Sequence, residues 1–179
     1  MNTVSPELTE FLVEAGITSE MFFYMGIVLN LTFALLLGTL VTLGEEYGWR
    51  NFMIQKFMRL GRTKALLYSG IIWGLWHAPI IVTGFNYGTD YPFFPITGIL
   101  MMCIFTTLLG IILTWLRYAS KSVSPSALGH AVYNNAAGAF ALYYTTSLFI
   151  GSVAGLIAFV IMGIIIMILH MTGELKKIK

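Results

Sequence analysis

The sequence has 179 residues, of which 58% are hydrophobic and 10% charged, and its mean hydropathy is +0.83. An ordinary soluble domain carries about 25% charged residues, so this composition excludes a soluble nucleic-acid binder and a disordered tail. Ten basic residues against eight acidic ones leave a net charge of +2, too small for a polyanion footprint, and the single cysteine, Cys103, excludes an internal disulfide framework.

The first twenty residues are acidic, with Glu7, Glu10, Glu14 and Glu20 and no basic side chain. Leu8, Phe11, Leu12 and Ala15 fall on one helical face, and Ser5-Pro6 is a start signal, so residues 1–20 read as a short amphipathic surface helix. The absence of a basic n-region argues against a signal peptide. Apolar runs of about 18 residues or more then read as membrane helices. They fall at about Met21–Leu43, Ala65–Val82, Ile96–Leu116, Ala127–Ser147 and Leu148–Leu169, with the last two divided near Thr145 to Ser152. The loop from Thr83 to Pro95 carries Phe85, Tyr87, Tyr91, Phe93 and Phe94. It reads first as an interfacial aromatic belt, and second as a cover over a substrate site. Gly70 with Gly74, and Gly151 with Gly155, have the spacing of close helix packing.

Every basic residue lies in one of three places. Arg50, Lys56, Arg59, Arg62 and Lys64 separate the first two runs, Arg117 and Lys121 separate the third and fourth, and Lys176, Lys177 and Lys179 form the tail. By the positive-inside rule the N-terminus faces out and the C-terminus faces the cytoplasm. The expected fold is therefore all-α: a polytopic transmembrane helical bundle of about five membrane helices, with residues 21–179 as a single membrane domain. The expected location is the plasma membrane, in contact with membrane lipid.

Charged side chains inside a span cost about 2.5–3.5 kcal/mol each at the helix centre, so polar residues there call for a function. The candidates are Glu45, Glu46, Arg50, His77, His130, Asn134 and Asn135. If the first helix continues through Leu60, Glu45 lies about 17 Å in from Lys56, His77 about 20 Å in from Lys64, and His130 and Asn134 about 13 and 19 Å in from Lys121. Side chains from three helices then meet at similar depth, in a site open to the cytoplasm. Glu46 and Arg50 are one turn apart and can form a supporting ion pair, while Glu45 points about 100° away. Glu45 with His77 suits deprotonation of water. His130 with Asn134, one turn apart, suits donation to an oxyanion.

Three segments carry these residues: GEEYGWR at 44–50, IIWGLWHAP at 71–79 and SPSALGHAVYNN at 124–135. They resemble, in order and spacing, the EExxxR, aromatic-xxx-His and HxxxN motifs of the CAAX-type intramembrane proteases, the CPBP or Abi family. Trp73 stands where that family usually has Phe. The resemblance covers about residues 35–144. It implies an intramembrane endopeptidase acting on a peptide or lipidated-protein substrate, bacteriocin or peptide processing included. It assigns Glu45 as general base, His77 as the residue that holds and polarises the water, His130 and Asn134 as oxyanion donors, and Glu46 and Arg50 as structural support. Members of the family usually carry further membrane helices before the GEE-bearing helix, where this sequence has about twenty residues.

The residues require no cofactor. Glu45, His77 and His130 could also supply a His₂-carboxylate set for zinc, although no HExxH helix is present. A two-aspartate protease is excluded because Asp90 is the only aspartate and lies in a loop. No nucleophile elbow surrounds Ser69 or Ser126. The competing readings are a non-catalytic membrane scaffold or bacteriocin-immunity protein and a small proton or solute pathway.

Overall fold

The computed structural model describes residues 6–141 and 147–179, with side chains at 6–9, 19, 30, 31, 33–35 and 137–141 left out. Among the described residues every regular element is helical. The first is α1 (Pro6–Glu14). Of its apolar face, Leu12 is buried whereas Phe11 is exposed, and Ala15 lies beyond the helix. Glu7 and Leu8, also expected on that surface helix, have side chains outside the described residues.

From Ser19 to Leu60 the chain is helical without interruption. It runs through α2 (Ser19–Phe33), a π-helical turn at Ala34–Gly38, α3 (Thr39–Glu46), a second π-helical segment at Tyr47–Met53, α4 (Ile54–Phe57) and a 3₁₀ turn at Met58–Leu60. The second π segment is marked by the Ile54 amide reaching back five residues to the Trp49 carbonyl. Such widened turns rotate the residues that follow relative to those before. The continuity that the depth comparison required is therefore present.

Gly61 breaks the helix with φ of 90°, a conformation open to glycine at little steric cost. α5 (Arg62–Trp76) follows, and His77 caps it. The expected second run extends to Val82, but the regular helix stops at His77. Pro79 lacks an amide hydrogen and so cannot continue the ladder, and the chain restarts as the short α6 (Ala78–Ile81). α7 (Ile96–Ser120) and α8 (Ser124–Ala141) come next, then α9 (Leu148–Gly151) and α10 (Leu156–Met171). Residues 142–146, on which part of the expected break between the fourth and fifth runs falls, lie outside the described residues. The turn at Ser152–Gly155 places Gly155 at the N-cap of α10 in an extended conformation. Gly151 and Gly155 therefore shape a turn and are not a helix-packing pair.

Gly70 and Gly74 do pack closely. A Cβ on Gly74 would lie 2.5 Å from the Cys103 Cα, and one on Gly70 would overlap Thr107. The absent side chains let α5 and α7 touch backbone to backbone, and Thr106 Oγ1 donates across the contact to the Gly70 carbonyl at 2.8 Å. α8 is held from two sides. Thr42 Oγ1 on α3 donates to the Ala127 carbonyl at 2.7 Å, and Ser126 Oγ donates to the Leu113 carbonyl of α7 at 2.7 Å. Hydroxyl-to-carbonyl bonds of this kind join helices where water does not compete.

The stretches Ile96–Ser120 and Leu148–Met171 are long and apolar enough to cross a bilayer, and Glu20–Leu29 is a shorter apolar helix. Large apolar side chains cover the outer faces, among them Leu36, Leu40, Val41, Val160 and Ile161. On a water-exposed surface so much apolar area would drive association, and lipid is the solvent that suits it.

Candidate active site

Trp73 organises the polar interior. It is 1% exposed and meets Trp49 and Arg50 of the second π-helical segment and His130 of α8. The Arg50 guanidinium lies over its ring at 4.2 Å, the His130 ring meets it edge-on at 5.3 Å, and the His77 ring is 6.0 Å away. An indole face attracts a cation and its bulk excludes water, so one side chain positions the residues of all three motifs.

The adjacent glutamates take different places, because neighbouring residues on a helix point about 100° apart. Glu46 is fully buried. Its Oε2 pairs with Arg50 Nε at 3.2 Å, the one-turn pair expected from spacing. Its Oε1 accepts from His130 Nδ1 at 3.0 Å, a bond spanning 84 residues of sequence. Among the described residues the two terminal nitrogens of Arg50 make no hydrogen bond, so Glu46 and the Trp73 ring answer its charge. Glu45 is half-buried and its carboxylate makes no hydrogen bond among the described residues.

Both histidines have their tautomer set by their partners. A carbonyl oxygen only accepts, so the 2.8 Å contact between His77 Nδ1 and the Trp73 carbonyl places the hydrogen on Nδ1. The Glu46 carboxylate does the same for His130. In the neutral ring Nε2 then carries a lone pair, and it is the nitrogen left for whatever the histidines face. Trp76 meets the His77 ring edge-on, with centroids 5.0 Å apart, and limits its movement.

Glu45, His77, His130 and Asn134 line one cavity of about 380 Å³, walled by Trp73, Trp76, Phe105 and Tyr133. All four site residues expected to do chemistry are thus brought together, and Glu46 and Arg50 lie behind them. A second hollow of about 450 Å³ shares Glu45 and Trp76 with the first and runs along Gly44, Gly48, Phe52 and Met53. It leads from Glu45 toward the basic segment at 56–64. A Cβ on Gly44 or Gly48 would touch nothing within 4 Å, so the two glycines keep that hollow open beside the carboxylate.

The sequence reading did not single out Trp76, Tyr133 or Asn86, which also line the main cavity. Trp76 and Tyr133 were visible only as neighbours of His77 and Asn134. The loop after α6 is not simply an aromatic belt: Phe85 and Asn86 line the cavity, Tyr87 is buried, and only Phe93 among its aromatics is almost wholly exposed, at 83%.

Histidines that give Nδ1–H to a carbonyl or carboxylate and turn Nε2 to a cavity also suit metal ligation. Among the described residues, however, no three His, Cys, Asp or Glu side chains converge closely enough to hold a metal ion. No chemical step below runs through a metal.

Comparison with known proteins identifies the family. Residues 27–136, more than half of the chain and all of the motifs, match the family described as type II CAAX prenyl endopeptidase Rce1-like. A curated protein of Methanococcus maripaludis named CAAX prenyl protease 2 is 32% identical over 94 residues, covering 50% of this chain and 34% of its own length. The chain therefore spans about a third of that relative. No solved structure matches. Members of the matched family are integral membrane proteases, and this chain belongs to the Rce1-like CAAX prenyl endopeptidase family.

Proposed function

We propose that this protein is an intramembrane endopeptidase that hydrolyses a peptide bond in a membrane-associated peptide. The observation that carries the reading is the convergence of Glu45, His77, His130 and Asn134, from three separated segments, on one cavity of about 380 Å³. A water held between the Glu45 carboxylate and His77 Nε2 meets two acceptors, which orient it and draw off its proton. Its oxygen bonds to the peptide carbonyl carbon while Glu45 takes the proton. The C–N bond then breaks and Glu45 passes that proton to the leaving nitrogen.

The oxyanion formed in between receives hydrogen bonds from the Asn134 carboxamide and from His130. Because Nδ1–H of His130 is committed to Glu46, donation through Nε2 requires the imidazolium. Arg50, paired to the same Glu46 carboxylate, adds a positive charge near the developing negative one. Buried electrostatics of this kind favour the transition state over the neutral ground state.

In the membrane we assign about five spans, with the N-terminus outside and the C-terminus in the cytoplasm, in the plasma membrane. The hollow along Gly44, Gly48, Phe52 and Met53 supports access to Glu45 from the side bearing Lys56, Arg59 and Lys64. The name of the Methanococcus maripaludis relative, CAAX prenyl protease 2, supports a prenylated peptide as substrate.

Purified protein in lipid, given farnesylated and unmodified versions of one fluorogenic C-terminal peptide, tests the reading. Cleavage of the farnesylated peptide is expected, at an unchanged rate in the presence of a chelator. Loss of cleavage with chelator, restored by zinc, would replace the metal-free mechanism. Failure of the folded protein to cut either peptide would favour a non-catalytic scaffold.

A further inference from the structure

The loop between α6 and α7 contributes a polar group that belongs to none of the three motifs. Asn86 lines the same cavity as Glu45, His77, His130 and Asn134. It is half-buried, and its carboxamide makes no hydrogen bond among the described residues. An amide that lines the cavity without a protein partner is available to bond a ligand there.

Its placement is well determined. The backbone at Asn86 has φ of 65°, the left-handed region that asparagine tolerates better than most residues. Gly84 and Gly88, at φ of 91° and 73°, form the turns on either side. The next residue, Tyr87, is buried at 3% and donates from its hydroxyl to the Ala154 carbonyl at 2.9 Å. Its ring stacks on Phe149 with centroids 5.1 Å apart, and Tyr91 meets Phe149 edge-on at 4.7 Å. The loop is thus fastened to the segment at 149–154, and that fastening holds Asn86 at the cavity.

A carboxamide has one acceptor and one donor group side by side, the complement of a peptide unit's N–H and C=O. We infer that Asn86 binds the backbone of the substrate peptide and sets its register past Glu45. It acts as a positioning residue that contacts substrate away from the bond that breaks. The inference rests on the peptidase reading for the identity of its ligand.

The competing explanation is that asparagine is present only because the backbone there has positive φ. Asn86→Gly separates the two, since glycine adopts that conformation freely and lacks the amide. The probe is a fluorescein-labelled farnesylated peptide, titrated against Glu45→Gln protein in nanodiscs so that binding is read without turnover. Adding Asn86→Gly is expected to weaken binding about tenfold with an unchanged melting temperature. In the otherwise wild-type enzyme the same change is expected to raise KM about tenfold with kcat within about twofold. These sizes correspond to one or two hydrogen bonds.

A series of peptides, each N-methylated at one backbone amide, gives the second arm. One position is expected at which methylation weakens binding to Glu45→Gln protein about tenfold but has no further effect once Asn86→Gly is present. Equal binding by the two proteins, additive losses at every methylated position, or a melting temperature lowered by Asn86→Gly would overturn the inference. If wild-type protein binds the peptide without ever cutting it, the peptidase reading fails while the binding arms still decide the role of Asn86. No binding by any of the proteins would overturn both.

Discussion

Glu45→Gln is expected to slow peptide hydrolysis about 10²–10⁴-fold, the range for loss of a general base, with little change in thermal stability. Glu45 is half-buried, its carboxylate bonds to nothing among the described residues, and glutamine matches its shape. The amide cannot take a proton from water, so the first step loses its acceptor while the cavity keeps its form. Rates of fluorogenic cleavage and a melting curve in lipid, measured on the same preparation, check both halves. Unchanged hydrolysis by the folded variant would remove Glu45 from the mechanism.

The neighbouring residue behaves oppositely. Glu46→Ala is expected to destabilise the protein by about 3–5 kcal/mol, because removing one partner leaves the other charge buried and unpaired. In a chain of this size that is a fall in melting temperature of about 6–20 °C. Arg50, 1% exposed, would lose its ion-pair partner, and His130 would lose the partner that sets its tautomer. Replacing both charges with apolar residues of similar volume, Glu46→Leu with Arg50→Met, is expected to recover most of the stability, since well-packed apolar replacements of a buried pair are often neutral. Activity is expected to stay low in the double variant, because His130 is still unpartnered. Recovery of activity with stability would reduce Glu46 to support of Arg50 alone. A single Glu46→Ala variant as stable as wild type would contradict the buried ion pair.

The contrast between these glutamates marks how far the sequence could be read. The Glu46–Arg50 pair follows from one-turn spacing, and the structure contains it. The bond from Glu46 to His130 crosses 84 residues, so no local pattern announces it; it depends on how α3 packs on α8. That packing rests on Thr42 bonding to the Ala127 carbonyl, a pair with nothing unusual in sequence. The role of Trp73 was half legible: its position in the second motif was clear, but its contact with Arg50 and His130 required the fold.

The end of α5 at His77 was signalled by Pro79, yet hydropathy continues through Val82 and masked it. The loop at 83–95 shows a more general limit. A run of aromatics and glycines looks the same whether it faces lipid headgroups or packs on protein. What decides the matter is Phe149 and the Ala154 carbonyl, which receive Tyr87 and Tyr91 from far along the chain. Long helices and motif residues are written locally, whereas the side-chain bonds that set tautomer, wall and loop position arise only once distant segments meet.

Single-turnover cleavage of the farnesylated peptide in ¹⁸O-labelled water, followed by mass spectrometry of both peptide and protein, tests the central claim most directly. Direct attack by a water held at Glu45 and His77 predicts one ¹⁸O in the new carboxyl group and a protein mass that stays unchanged at every time point. A peptidyl adduct on the protein, or an intact peptide after incubation with folded wild-type protein, would contradict it.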